Sequence, residues 1–391
     1  MRLKKLLSLI LMCIILSGCW DKIEIDRKSL ISAAAIDVGE QIDKEKEMKD
    51  LRPDEPFTGM DLKKLHVTFG APDISKLGPE KGVSAEDIYI NSDGYSMVDV
   101  INNAGLRSSR DLKFSHIKLL ILSKDLMTHT EVVKEVADYL QREPSLNKMM
   151  YIVLSEGHAE DLIKFKPSME KNIESYISGL VENSQRNVSI LPVTLTEFLV
   201  LLNQNGNAML PKLEIEKDKK EVKVSGVSLI KNYKLVGDLN PIETANLQML
   251  RGTARGVRKV IYKENHPIDV SIDNLKRKIT MSSENGKIAF NVNLELEGQV
   301  KDYYINKDIF SENMLSYLEE NLSIATSKEC EEVIEITQKQ LNVDPVGFRE
   351  YVEKYYPNTW NRIKDKWDEI YKNAVIHVKV RSNIRRIGVS K

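Results

Sequence analysis

Phe114-Ser115-His116-Ile117-Lys118-Leu119-Leu120-Ile121-Leu122 is the stretch on which the fold turns. It is too apolar for a strand with one face in water, so it predicts a central strand covered on both sides. Downstream, from about Asp125 to Arg142, Val132, Val133, Val136, Ala137 and Leu140 recur at three-and-four spacing and predict a long amphipathic helix. Met149 to Leu154 (MMYIVL) then reads as another core strand. Strand, helix, strand with a connection of this length is a β-α-β unit whose two strands can lie parallel.

Outward from that unit the first half keeps mixing the two element types. Ser29 to Val38 (SLISAAAIDV) and Leu65 to Phe69 read as strands, and Tyr95 to Leu106 has helical spacing. Gln41 to Glu55 is a charge run holding Pro53, and Pro72 to Ser84 is loop-like. Ala159 to Phe165, Lys171 to Arg186 and Thr194 to Asn203 read as helices, the last two parted at Pro192. Glu214 to Lys223 is a second charge run and the expected domain boundary.

Past it the pattern turns strand-rich. The apolar phase slips between Val222/Val224 and Val227/Leu229, which predicts a bulge or a close backbone approach at Gly226. Ile288, Phe290, Val292, Leu294 and Leu296 alternate as a half-buried strand, after two weaker strand candidates within Gly256 to Ser282. Ser311 to Leu341 lacks glycine and proline and predicts a helix about 46 Å long, bent near Thr326 to Lys328. Pro345 to Tyr355 starts another helix, and Pro357 suits the first turn of a third. Val375 to Val380 closes as a strand. The expected class is α+β and multi-domain. A mixed-sheet N-terminal part spans 19–213, and a C-terminal part with an antiparallel sheet and long helices spans 214–391.

The beginning of the chain carries a different message. Arg2, Lys4 and Lys5 precede an apolar run from Leu6 to Leu16 broken only by Ser8, the order of an export signal. As a helix Leu6 to Gly18 would rise only about 20 Å, short of a hydrocarbon core of about 30 Å. Leu16-Ser17-Gly18-Cys19 resembles the lipobox of bacterial lipoproteins. That resemblance implies a diacylglyceryl group on Cys19, possible N-acylation there, cleavage after Gly18 and removal of residues 1–18. Two or more acyl chains hold a protein durably to a membrane, so tethering is the first functional expectation.

Composition narrows the rest. The 391 residues carry a formal net charge of −1, which does not favour nucleic acid as a partner. Cys13 leaves with the signal and Cys19 takes lipid, so Cys330 has no thiol to pair with and reads as a small core residue. There is no P-loop, G-x-G-x-x-G, G-x-S-x-G or H-E-x-x-H, and the six histidines show no metal-ligand spacing. No cofactor, metal or catalytic residue is expected. His116 and His377 sit in strand patterns, where a backbone partner is expected for each ring. Trp360, Trp367 and Tyr371 form an aromatic stripe that reads as core rather than a sugar-stacking surface. Arg381, Arg385, Arg386 and Lys391 make the C-terminus basic, either a solvated tail or a contact for anionic headgroups.

Several segments together resemble the Ger(x)C lipoproteins, the C subunits of nutrient germinant receptors of spore-forming bacteria. They are Cys19-Trp20-Asp21, Ala35-Ile36-Asp37, Phe114 to Lys118, Arg142-Glu143-Pro144, Gly226 to Gly237, Glu243-Thr244 and Met249-Leu250-Arg251-Gly252. Tyr356-Pro357 to Trp360, Trp367 and Ile384 to Gly388 complete the set. The chain departs from the family at Asp344-Pro345-Val346-Gly347-Phe348, where a glycine-rich aromatic turn is usual, and in the length of the Gln41–Glu55 insert. The resemblance implies a non-catalytic α+β protein on the outer face of the spore inner membrane. There it would assemble with integral-membrane A and B subunits and act in spore germination. A solute-binding lipoprotein that captures the germinant itself is the alternative, disfavoured because the two halves differ in pattern. A cell-wall hydrolase has only location in its favour.

Overall fold

The computed structural model describes residues 27–44, 62–73, 86–168, 170–184, 191–216, 218, 221–263, 266–302 and 312–387. The lipobox Leu16–Cys19, most of the charged insert and most of the stretch Pro72–Ser84 fall outside them.

The first half runs β1 (Lys28–Leu30), β2 (Ala33–Val38), β3 (Leu65–Pro72), β4 (Asp87–Gly94), α1 (Met97–Leu106), β5 (Asp111–Lys113) and β6 (Leu119–Ser123). It continues with α2 (Thr130–Arg142), β7 (Tyr151–Ser155), α3 (Ala159–Ile163), α4 (Ile173–Ser184), α5 (Leu195–Asn205) and β8 (Ala208–Glu216). β6 and β7 pair in parallel across α2, as the β-α-β reading expects. The strand within Phe114–Leu122 begins only at Leu119. Phe114 to Lys118 is the approach to it, tied to β2 by the Lys118 N–H donating to the Ser32 carbonyl at 2.8 Å.

β9 (Glu221–Lys231) and β10 (Lys234–Leu239) follow, and one eight-stranded sheet takes in both, in the order β10-β9-β8-β7-β6-β2-β3-β4. β2, β6, β7 and β8 run parallel, and the strands at each margin are antiparallel. The charge run Glu214–Lys223 is therefore the hairpin between β8 and β9, inside the sheet's hydrogen bonding. Alternate side chains of the central strands divide between two layers. Ala34, Ile36, Leu120 and Leu122 pack with the apolar faces of α1, α2 and α5. Ala33, Ala35, Leu119 and Ile121 pack with α3 and α4. Each fully buried Leu or Ile contributes about 1.5–3 kcal/mol, so burial on both faces makes this strand set a large contributor to the stability of the first half.

Beyond β10 come α6 (Pro241–Arg251), β11 (Val257–Lys263), β12 (His266–Glu284), β13 (Lys287–Asp302) and α7 (Glu312–Ile334). α8 (Phe348–Tyr355), α9 (Pro357–Ile363), α10 (Trp367–Asn373) and β14 (Val375–Ile387) complete the chain. β11, β12 and β13 are antiparallel, but β14 joins β13 in parallel, because α7 to α10 form a crossover that returns the chain in the same direction. The expected bend at Thr326–Lys328 is not a break. α7 passes through it, with Thr326 buried and the Ser327 hydroxyl donating to the Val378 carbonyl at 2.8 Å. The departure from α geometry comes later, as a π-helical segment over Glu335–Gln340.

Gly226 meets both expectations placed on it. Its φ is +111°, the β8–β9 register shifts beside it, and a Cβ there would stand 2.0 Å from the Leu239 carbonyl oxygen. Only glycine lets β9 and the end of β10 approach so closely.

Candidate functional site

Among the described residues, three polar clusters lie on the eight-stranded sheet and its seam with the C-terminal helices. At the carboxyl ends of the parallel strands, Lys124 (after β6), Glu156 (after β7), Lys212 (β8), Ser228 (β9) and Asp238 (β10) form one network. Asp238 accepts from Ser228 at 2.5 Å, Lys212 at 3.0 Å and Lys124 at 3.1 Å, and Lys124 also reaches Glu156 at 2.6 Å. Burial by itself would raise the Asp238 carboxyl, but these three donors outweigh it and hold the group below the usual carboxylate range. Every member is engaged by another, so the network clasps five strands, the consecutive β8, β9 and β10 to the earlier β6 and β7.

The second place is β2 to β4 with α3. Asp37 is buried, and its two oxygens accept the Ala159 and Glu160 backbone N–H groups, each at 2.8 Å. A carboxylate on the first free amides of a helix satisfies donors that have no intrahelical partner. Nearby His66 lies between Asp93 at 2.6 Å and Glu160 at 3.3 Å, and Asn91 donates to Glu160 at 2.6 Å. His66 and Asn91 tie β3 and β4 to α3 through these carboxylates. Among the described residues no group of three or more His, Cys, Asp and Glu is arranged to hold a metal ion.

The third place is the seam between the eight-stranded sheet and the C-terminal helices. A cavity of about 270 Å³ is lined there by residues including Met209, Arg251, Arg277, Asp344 and Glu350. Asp344 accepts from the Gly347 N–H at 3.0 Å and the Arg349 N–H at 2.8 Å, and burial pushes its carboxyl up to about 6. Arg251 donates to the Pro345 carbonyl and Arg277 to the Leu250 carbonyl at 2.9 Å. The seam's charged groups thus pin the Asn342–Gly347 loop to the end of α6. Sequence reasoning singled out Arg251 and Asp344 as parts of two separate stretches but had no signal that the two meet.

The remaining candidates fall as follows. Cys330 is buried and burial pushes its thiol up to about 12, the state of an inert core residue. Trp360 and Trp367 pack edge to face with centroids 5.6 Å apart, Trp367 stacks on Tyr371, and all three are buried, so the stripe is core as expected. The two histidine expectations need correction. His116 is exposed in the turn before β6, beside the Ser115 hydroxyl at 3.0 Å, and His377 is exposed and paired with Glu284 at 3.0 Å. Exposure removes the need for a backbone partner in both. Arg381 and Arg385 belong to β14 rather than to a tail, and Arg385 pairs with Glu297 at 2.7 Å. Leu16, Ser17, Gly18 and Cys19 lie outside the described residues.

Two family models match this chain in tandem. One, described as the spore germination protein N-terminal domain, covers residues 21–215, and the other, described as spore germination B3/GerAC like, C-terminal, covers 225–388. The chain belongs to the Ger(x)C family. Among its relatives in Bacillus subtilis (strain 168), spore germination protein YndF is 26% identical across 99% of this chain and 98% of its own length. Spore germination protein B3 is 25% identical across 92% of this chain and 91% of its own length. The crystal structure of the GerBC protein superposes with a TM-score of 0.59 at 21% identity, covering 83% of this chain and 94% of that one. That likeness places this Ger(x)C protein in the same multi-domain α+β fold. Ger(x)C proteins are receptor subunits rather than known enzymes, in keeping with the non-catalytic expectation.

Proposed function

We propose that this chain is a lipid-anchored, non-catalytic subunit of a spore nutrient germinant receptor. In this reading Cys19 carries the lipid, and the body stands on the outer face of the spore inner membrane. It acts there by assembling with the integral-membrane A and B subunits. The observation that carries the reading is Leu16-Ser17-Gly18-Cys19 behind a basic, apolar leader, in a chain whose relatives are named for spore germination. No helix among the described residues is long and apolar enough to cross a membrane, so lipid on Cys19 supplies a means of attachment. Confinement to one surface raises the effective concentration of the body toward membrane-embedded partners, which is what a subunit without chemistry of its own can offer.

Capture of the germinant in a cleft between two similar lobes fits less well. The eight-stranded mixed sheet and the four-stranded sheet have unrelated strand orders. A saturable heat on titrating the purified protein with amino acids and sugars would reinstate capture. The decisive experiment is Cys19→Ala in spores. We expect the variant to leave the membrane fraction, to lose co-purification with the A and B subunits and to abolish the nutrient response. Unchanged attachment and response would overturn the proposal.

A further inference from the structure

The face that meets the membrane follows from where the chain enters the fold. β1 pairs in parallel with β5, placing Lys28 opposite Asp111, and Ile31 continues into β2. β4 runs parallel to β2, so α1 doubles back along the sheet and sets Leu106 at the amino end of β2, where β1 enters. Seven residues lie between Cys19 and Arg27, so the eight Cα–Cα steps reach roughly 29 Å at most. A compact chain of this length has a radius of gyration of about 21 Å and a diameter well above that reach. An anchor on Cys19 therefore admits only the surface near β1 to the bilayer.

That surface has the chemistry of a membrane contact. The inner side of α1, Met97, Val100 and Ala104, is in the core. The outer side, at i, i+3, i+4, i+7 and i+8, is Val98, Ile101, Asn102, Gly105 and Leu106, with no charge among them. Leu106, at the end of α1 beside β1, is 86% exposed, which costs free energy in water and gains it in the acyl boundary. A groove of about 660 Å³ continues the apolar surface, with Ile101, Leu106, Leu112 and Phe114 among its lining residues. Arg110 lines it, Asp111 is paired with Lys113 at 2.5 Å, and Arg107 follows α1 with its guanidinium donating to the Asn91 carbonyl at 3.1 Å, so the charge left over beside the groove is positive. Positive charge around an apolar patch is the complement of anionic headgroups over acyl chains.

We propose that the Leu106 end of α1 and its groove with β5 rest on an anionic lipid bilayer, docking the body amino end of the sheet downward. The inference depends on the Cys19 lipid reading. It fixes the orientation in which partner subunits meet the protein, leaving the strand carboxyl ends and the α6 end facing away from the bilayer.

The test uses the full lipidated chain in vesicles of phosphatidylglycerol and phosphatidylethanolamine, with an environment-sensitive fluorophore on Leu106→Cys or, as control, on Ile242→Cys. Ile242 is 66% exposed and follows β10 at the opposite end of the sheet. Cys330 is buried and does not compete for label. We expect the vesicles to float with the protein. Spin-labelled lipid should quench position 106 at least threefold more than position 242, and Arg107→Gln with Arg110→Gln should narrow that ratio. Flotation with equal quenching at both sites would overturn the orientation and leave the anchor standing. A blue shift at 106 that appears only with the A and B subunits and without lipid quenching would overturn the bilayer contact and assign the face to a protein partner. Failure to float would overturn the anchor and the orientation together.

Discussion

Single residues carry the closest tolerances in this molecule. Gly226→Ala combines a positive φ with a Cβ 2.0 Å from the Leu239 oxygen, and neither backbone segment can yield without breaking the β8–β9–β10 pairing. We expect a loss of about 3 kcal/mol or more, read as a lowered denaturant midpoint. A loss below about 1 kcal/mol would show that the bulge relaxes freely. Asp87 offers a test with a sign. Burial, reinforced by Glu174, raises its carboxyl to about 6 from an ordinary value near 4, against a hydrogen bond from the Ile173 backbone that lowers it. The folded state therefore binds the extra proton, and this group's contribution is fully present below about pH 4 and lost as pH rises through 6. Asp87→Asn removes the charge and keeps an acceptor for Ile173. It should raise stability by about 1 kcal/mol at pH 7.5, once partial exposure is allowed for, and by nothing at pH 4. An equal gain at both pH values in urea unfolding would rule out the electrostatic cause.

At the scale of elements, one side chain holds the crossover to the last strand. Gln338, in the π-helical segment, donates through its amide to the Tyr371 carbonyl at 2.6 Å and the Ala374 carbonyl at 2.9 Å. These carbonyls lie at the end of α10 and at its cap, and both bonds are buried. Gln338→Ala should cost about 1–3 kcal/mol, because the buried Ala374 carbonyl loses this donor and the Tyr371 carbonyl keeps only the Ala374 N–H. Hydrogen exchange should then show β14 opening before β12 and β13. Uniform exchange across the sheet would show that the π segment does not carry the strand. Elements with strong period, such as α2 and β13, were legible from Val132 to Leu140 and from Ile288 to Leu296. β4 was not, because its buried positions are filled by Ser92 and Gly94 while Ile88 faces out, the reverse of an apolar stripe. β8 was hidden by Pro211 in its interior and by the charges that begin at Glu214. α6 did carry a readable signal. Asn240, Pro241 and Glu243 build a capping box, and Gly252 takes the left-handed position that ends the helix. The expected lipid site was legible only in its own four residues, since a covalent address needs no tertiary contacts.

For the whole molecule, the telling feature is that one sheet runs through both family segments. The N-terminal family segment ends at residue 215 and the C-terminal one starts at 225, yet β8, β9 and β10 are consecutive strands of one sheet. Val227, Leu229 and Ile230 are buried along β9, and the Asp238 network clasps β10 to the ends of β6 and β8. A chain cut after Glu216 would keep β8 as an apolar edge with unpaired backbone groups, the geometry that recruits other chains. A chain cut after Leu239 would keep both covering strands and the Lys124–Asp238–Lys212 clasp. We therefore expect residues 27–216 to aggregate, or to elute as oligomers in gel filtration. Residues 27–239 should elute as a monomer and unfold in one cooperative transition. Within the longer piece, Asp238→Ala should cost about 1–2 kcal/mol, because Ser228 loses its acceptor and Lys124 and Lys212 keep only Glu156. If the shorter piece were monomeric and as stable as the longer one, β9 and β10 would be passengers on a sheet complete at β8. The strands would then not be the mechanical link between the β1 end of the sheet and the C-terminal helices.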